Sequence, residues 1–431
     1  MEYQFVKSKF DEKRPFDVVR AEDFGGDLYQ FYEPLESLVR RVSGVDIKGS
    51  RPVFLIGGRG TGKTMVLKFL GVEMQLADFI QKNLPGRNRV EQLTSAEMLM
   101  FLESRNFVGV YLRFRTTEYD PITGDLSPLF LPYLSLKIAQ QILIFLLMLK
   151  TSGVVDPVTE ESVARLVGAQ IAGRTPYQPG TFKEALELIE GTMLPWFEIV
   201  FQTYSYCSLE DIRNDVGIPV VIWKNLIFGL PNRAFSQIDC LRDKSLFVLL
   251  DELEFLNDYQ KRCVGQLIKD SDETYVVFKI GSRYMPPSLP VGQSAEVLQE
   301  PDDFRTIDIT AALNAARGGP KYDYRGLVKN ILNRRLRRSA TVEQHGTTDV
   351  EELLPNVSIE QEAKDLVADR RKHWDGFTTY LRRTATPEES DAIVQKLEFL
   401  ENPLIEKLNM LVYYRGEPVE SIRRMQQEYL R

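Results

Sequence analysis

Apolar residues along this chain fall into two patterns. Short unbroken runs, bounded by glycine, proline or acidic residues, alternate with longer stretches at helical spacing. Pro52–Ile56 (PVFLI), Leu246–Leu250 (LFVLL) and Tyr275–Ile280 (YVVFKI) are runs of the first kind, and they predict strands buried on both faces of a parallel sheet. Phe107–Phe114 and Phe304–Ile309 predict a second and a last strand. Helical spacing predicts Met65–Leu70, Phe182–Glu190, Leu209–Val216 and a helix from Lys321 through Arg338. Toward the C-terminus it predicts Ala363–Arg383, Pro387–Leu400, Ile405–Arg415 and Val419–Leu430. Strands alternating with helices, then helices alone, predict an α/β core followed by a small helical domain. The prolines at 286, 287 and 290 mark residues 285–300 as a loop, and residues 346–360 read as a polar loop.

Leu129–Leu149 (LFLPYLSLKIAQQILIFLLML) approaches the length of a membrane span. Pro132, Lys137, Gln140 and Gln141 interrupt it, so it predicts a buried helix and no membrane partner. From Phe114 to Ser245 there are 130 intervening residues, far more than one helical crossover needs. Residues 151–240 are therefore read as a mainly helical insertion, either a decoration of the core or a surface that meets a partner. The expected layout is an N-terminal segment over 1–45, a core over 46–150 and 241–310, the insertion, and a helical lid over 311–431. The last helix ends at Arg431 without a cap or a glycine stop, which predicts that further chain lies beyond it.

Composition narrows the function classes. The 431 residues carry 54 Lys and Arg against 61 Asp and Glu, a net charge of −7. Bulk nucleic-acid binding rests on neutralising phosphates and is disfavoured by that balance, though a local basic patch is not. Cys207, Cys240 and Cys263, with His345 and His373, have no zinc-like spacing. Few cysteines and the lack of an apolar leader at the N-terminus predict a cytoplasmic protein.

The chemistry is concentrated after the first strand. Gly57-Gly58-Arg59-Gly60-Thr61-Gly62-Lys63-Thr64 fits G-x-x-x-x-G-K-[ST], with Met65 opening the helix behind it. Glycines let backbone N–H groups converge on phosphate oxygens, and a helix N-terminus adds favourable dipole. Lys63 is expected to bridge the β- and γ-phosphates of ATP, and the Thr64 hydroxyl to hold Mg²⁺. At the tip of the 246–250 strand, Asp251 is the expected second Mg²⁺ ligand, and Glu252 the group that polarises the attacking water. An adjacent Asp-Glu pair predicts the subclass with one strand inserted between the two motifs. Glu254 is set aside by its spacing, as facing solvent or a lid. Beyond the 275–280 strand, Ser282 first and Arg283 second are candidates to touch the γ-phosphate or the water.

GGRGTGKT, LFVLLDE and VVFKIGSR together resemble the AAA+ ATPases, in the branch of origin-recognition and replication-initiator proteins and the related STAND signalling ATPases. The resemblance covers roughly residues 10–150 and 240–340. It implies that the segment Pro15–Asp23 borders adenine, with Arg20 and Glu22 in the matching places. It further implies an ATPase working in an oligomer or with a separate effector, and for prokaryotic proteins of this look, antiviral defence. Ring-forming members place an arginine before the last strand, but Tyr284–Phe304 contains none, and only Arg283 and Arg305 flank it. An arginine finger at that place is therefore not expected.

The helix beginning at Lys321 carries Lys321, Arg325, Lys329, Arg334, Arg335, Arg337 and Arg338. The first three recur every fourth residue and share a face. They can follow a phosphate backbone, or they can be a solvated face balanced by Asp349, Glu351 and Glu352. Three functions stay open: an ATP-driven switch in a multi-protein assembly, a DNA-binding initiator or loader, and a scaffold that binds ATP without turnover.

Overall fold

A computed structural model describes residues 36–43, 51–84, 93–172, 178–204, 220–272, 274–284, 289–292, 296–312, 324–337, 349–353, 370–398, 403–414 and 416–429. By its contacts the chain divides into two units, Met1–Val350 and Glu351–Arg431. The expected helix at 209–216, most of the 1–45 segment with Arg20, and Lys321 and Arg338 lie outside the described residues.

The first unit is built on five parallel strands: β1 (Val53–Ile56), β2 (Phe107–Arg113), β3 (Ser245–Asp251), β4 (Val276–Ser282) and β5 (Arg305–Asp308). Their order across the sheet is β2-β3-β4-β1-β5. All neighbouring pairs are parallel, so every strand points its C-terminal end to one edge. β4 lies between β1 and β3, the inserted strand that the Asp-Glu pair predicted.

Alternation along the strands divides the apolar side chains between two cores. Val53, Leu55, Phe107, Phe247, Leu249 and Val277 face α1 (Glu36–Ser43) and α2 (Lys63–Leu70), packing with Leu38, Val42, Val66, Leu67 and Leu70. Phe54, Val108, Val110, Leu246, Val248, Leu250, Phe278 and Ile280 face the other way, into the larger core. Over that second face lie α3 (Val72–Asn83), α4 (Ser95–Glu103), α5 (Phe130–Thr151) and α10 (Asp258–Asp270).

α5 is the apolar segment noted in the sequence. It is long and apolar enough to cross a bilayer, yet twelve of its 22 residues are buried within the fold. Its partners come from the insertion: α6 (Pro157–Ala169), α7 (Phe182–Leu188), α8 (Leu194–Thr203) and α9 (Leu230–Gln237). Val163, Phe182, Phe197, Leu226 and Phe235 belong to the same core as α5 and the sheet. The helix expected over Phe182–Glu190 ends at Leu188 and passes into a π-helical turn, Ile189–Met193, ahead of Leu194-Pro195. A second π turn, Asn225–Gly229, precedes Leu230-Pro231. Proline has no N–H to give the previous turn, and the wide π loop accommodates it within a continuing helix.

α11 (Tyr324–Leu336) falls in the first unit, whereas the sequence grouped residues 311–350 with the C-terminal helices. The second unit contains α12 (Arg370–Thr384), α13 (Pro387–Leu397), α14 (Pro403–Tyr414) and α15 (Val419–Tyr429). Phe377, Leu381, Leu397, Met410 and Ile422 form its core. A Thr386–Glu389 capping box starts α13, and the buried Asn409 amide donates to the Leu397 carbonyl.

Candidate functional site

The loop Gly57–Gly62 leaves the C-terminal end of β1 and opens α2 at Lys63. Gly62 caps that helix at φ 92°, a left-handed conformation in which a side chain is strained. Arg59 and Gly60 are exposed, and the Thr61 hydroxyl donates to the Gly58 carbonyl at 2.9 Å. The buried Lys63 amine donates to the carbonyl oxygens of Gly57 at 2.5 Å and Gly58 at 3.0 Å. Burial lowers its pKa. The charges of Glu254 and then Asp251 oppose that shift, Arg283 adds to it, and Glu252 opposes it weakly.

The β3 tip meets this loop. Asp251 is fully buried and accepts hydrogen bonds from the Tyr111 phenol at 3.0 Å and from the Glu252 backbone N–H at 3.0 Å. Burial raises its carboxyl above the ordinary range, and the Thr64 side chain and the Tyr111 hydrogen bond pull against that. Two stretches almost 190 residues apart in sequence thus meet, with the Thr64 side chain near enough to Asp251 to influence its carboxyl. The oxygen donors gathered here, a hydroxyl beside a buried carboxylate, are of the kind a hard divalent cation takes.

Gly281 of β4 makes this packing feasible. A Cβ there would stand 2.6 Å from Asp251 Oδ1 and 2.7 Å from Leu67 Cδ1. Next along β4, the buried Ser282 donates its hydroxyl to the Tyr284 carbonyl at 2.8 Å, turning back on its own chain. Arg283 is exposed, and its charge is felt at Lys63.

Glu252 has φ 64° and ψ 46°, the one left-handed non-glycine residue among the described residues. Such a conformation costs on the order of 1 kcal/mol or more and marks a functional constraint when it persists. Its carboxylate is gripped by Arg113: Nε donates to Oε2 at 2.5 Å and Nη2 to Oε1 at 3.1 Å. Arg113 stands opposite Asp251 in the β2–β3 register. The pair raises the Arg113 pKa, chiefly through its hydrogen bond to Glu252.

Three residues enter the site that the sequence reading did not place there. Tyr111 and Arg113 are two apart on β2, so both side chains lie on one face of the sheet and reach the two adjacent carboxylates of the neighbouring strand. The signal in the sequence was polar chemistry at alternate positions of an otherwise apolar strand. Glu254 is a correction. The left-handed Glu252 and the 3₁₀ turn Leu253–Phe255 break the strand's alternation, so counting pleats misdirects it. Its Oε2 accepts the Arg283 backbone N–H at 3.1 Å, and its charge is foremost among those acting on Lys63.

Lys329 pairs with Asp349 at 2.8 Å, and burial lowers the pKa of Arg335. Arg305 begins β5 opposite Val53, at the sheet edge away from the loop. No curated protein and no solved structure matches the chain. A parallel sheet of order 2-3-4-1-5, a phosphate loop after its fourth member and an Asp-Glu tip at its second agree with what the family comparison finds. The ORC-CDC6-like family model matches residues 14–424, and the chain belongs to that family of AAA+ ATPases.

Proposed function

We propose that this chain is a Mg-ATP-hydrolysing switch within a multi-protein assembly. One observation carries the reading: the buried Asp251 carboxylate at the mouth of the Gly57–Thr64 loop, near enough to the Thr64 side chain for that group to lower its pKa. In this reading Thr64 and Asp251 hold Mg²⁺, which offsets charge on the β- and γ-phosphates. The loop N–H groups and Lys63 hold the phosphates, and Arg283 lies within electrostatic range of the same place. Glu252 accepts a proton from water once its carboxylate leaves Arg113. The Arg113 pair supports a switch over a constitutive enzyme, because both carboxylate oxygens are engaged by the guanidinium.

Steady-state phosphate release tests the assignment. Glu252→Gln should lose turnover by two or more orders of magnitude while retaining nucleotide. Turnover near the wild-type rate in that variant refutes it. The wider setting inferred from the resemblance is anti-phage defence with a homo-oligomer or a separate effector. Phage resistance surviving in cells that carry a Lys63→Ala allele would end that part of the reading. The alternative, a DNA-binding initiator, draws on the same family membership, but Lys329 is engaged by Asp349. Duplex affinity with a steep salt slope, lost on charge reversal at Arg334 and Arg337, would favour it.

A further inference from the structure

A carboxylate that takes a cation must hold its plane as well as its place, and an aspartate's last torsion is soft, a broad and roughly two-fold well. At Asp251 that torsion is fixed from two sides. Oδ1 accepts the backbone N–H of Glu252 at 3.0 Å, a bond within the turn itself. Oδ2 accepts the phenol of Tyr111 at 3.0 Å, from a residue 140 positions away on β2. A single bond to one oxygen leaves the carboxylate free to swing about it, but two bonds to different oxygens define the plane. We propose that Tyr111 is a positioning residue, locking the Asp251 carboxylate in the orientation that a magnesium ion beside Thr64 requires.

The phenol is itself held. Its ring packs against the core under α2, and the Lys68 amine lies 5.7 Å from the ring centroid. Thr64 and Lys68 are four apart on α2, so the helix that supplies the hydroxyl ligand also fixes the ring. Gly281, with no Cβ, lets the carboxylate lie close against β4 on the third side. Partners of this kind around metal ligands typically change metal affinity about 10–100-fold when removed.

This inference rests on the magnesium reading above, and the experiment separates the two. Binding of a fluorescent, non-hydrolysable ATP analogue is measured in EDTA and across a magnesium titration, for wild type and Tyr111→Phe. The variant keeps the ring and removes only the hydroxyl. The expected result is unchanged affinity in EDTA and a magnesium midpoint raised about tenfold or more. A wild-type magnesium midpoint in Tyr111→Phe overturns the proposal while leaving the metal reading intact. Affinity that falls equally in EDTA and in magnesium marks a packing role and also overturns it. Wild-type binding indifferent to magnesium removes the metal reading, and the proposal with it.

Discussion

If Arg113 restrains Glu252, removing its guanidinium should speed hydrolysis. Arg113→Ala is the perturbation, and its size follows from the pair's setting. The side chains are 27% and 22% exposed and the contact is bidentate. Fully exposed pairs contribute ~0–1 kcal/mol and charge-assisted bonds about 1.5–3 kcal/mol. With roughly a quarter of each side chain in water, about 1–2 kcal/mol is the fitting range. Glu252 must give up that interaction to receive a proton from water, so its loss lowers the barrier by the same amount. At about 1.4 kcal/mol per decade, kcat rises roughly 5- to 30-fold. Phosphate release at saturating Mg-ATP, with kcat and KM resolved separately, is the assay. KM should move little, and Arg113→Ala combined with Glu252→Gln should be as inactive as Glu252→Gln alone. A kcat at or below wild type in Arg113→Ala would refute the restraint, since the guanidinium would then be assisting the reaction or standing apart from it.

Two further changes test the frame around the site. Gly281→Ala forces a methyl to within 2.6 Å of Asp251 Oδ1 and should cost about 1–3 kcal/mol, read as a fall of several degrees in Tm together with weakened magnesium dependence. An unchanged melt would mean that β4 gives way easily. Lys279 concerns stability against pH. Burial, with the Arg305 guanidinium adding, pulls its amine down from 10.5 to about 7. The unfolded chain therefore binds more protons between those values, and stability should climb as pH rises from about 7 toward 10. Below about 7 the fold carries the whole cost of the buried ammonium, at most about 5 kcal/mol. Lys279→Met should flatten that slope and raise Tm at neutral pH, in spite of losing the bond to the Arg51 carbonyl. A slope identical to wild type in urea melts across pH would exclude Lys279 as its source.

Much of the core was legible in the sequence because its signals are local. Gly62 needs its φ, Lys63 and Thr64 sit at fixed offsets from it, and unbroken apolar runs mark strands buried on both faces. Asp251 and Glu252 were legible as the polar end of such a run. Arg113 and Tyr111 were not, because their meaning depends on β2 lying beside β3, which no spacing within β2 reveals. Glu254 was misread because a left-handed residue ahead of it cancels the two-residue period on which the reading relied. The insertion's membership of the main core was hidden for a similar reason: helical spacing marks Phe182 as an inward position, not what it packs against.

The π turn at Ile189–Met193 has a consequence for how the insertion of this chain tolerates change. Each residue advances an α-helix by about 100°, so the extra residue in the wide loop sets the azimuth of everything after it. Phe197 lies tilted against Tyr133 and Phe201 meets it edge-on, at 5.8 Å and 5.3 Å between centroids, with that extra residue in place. Deleting Gly191 would straighten the helix and swing both rings about a quarter-turn away from α5, so a shortening that looks conservative in an alignment would unseat the aromatic cluster beneath the insertion.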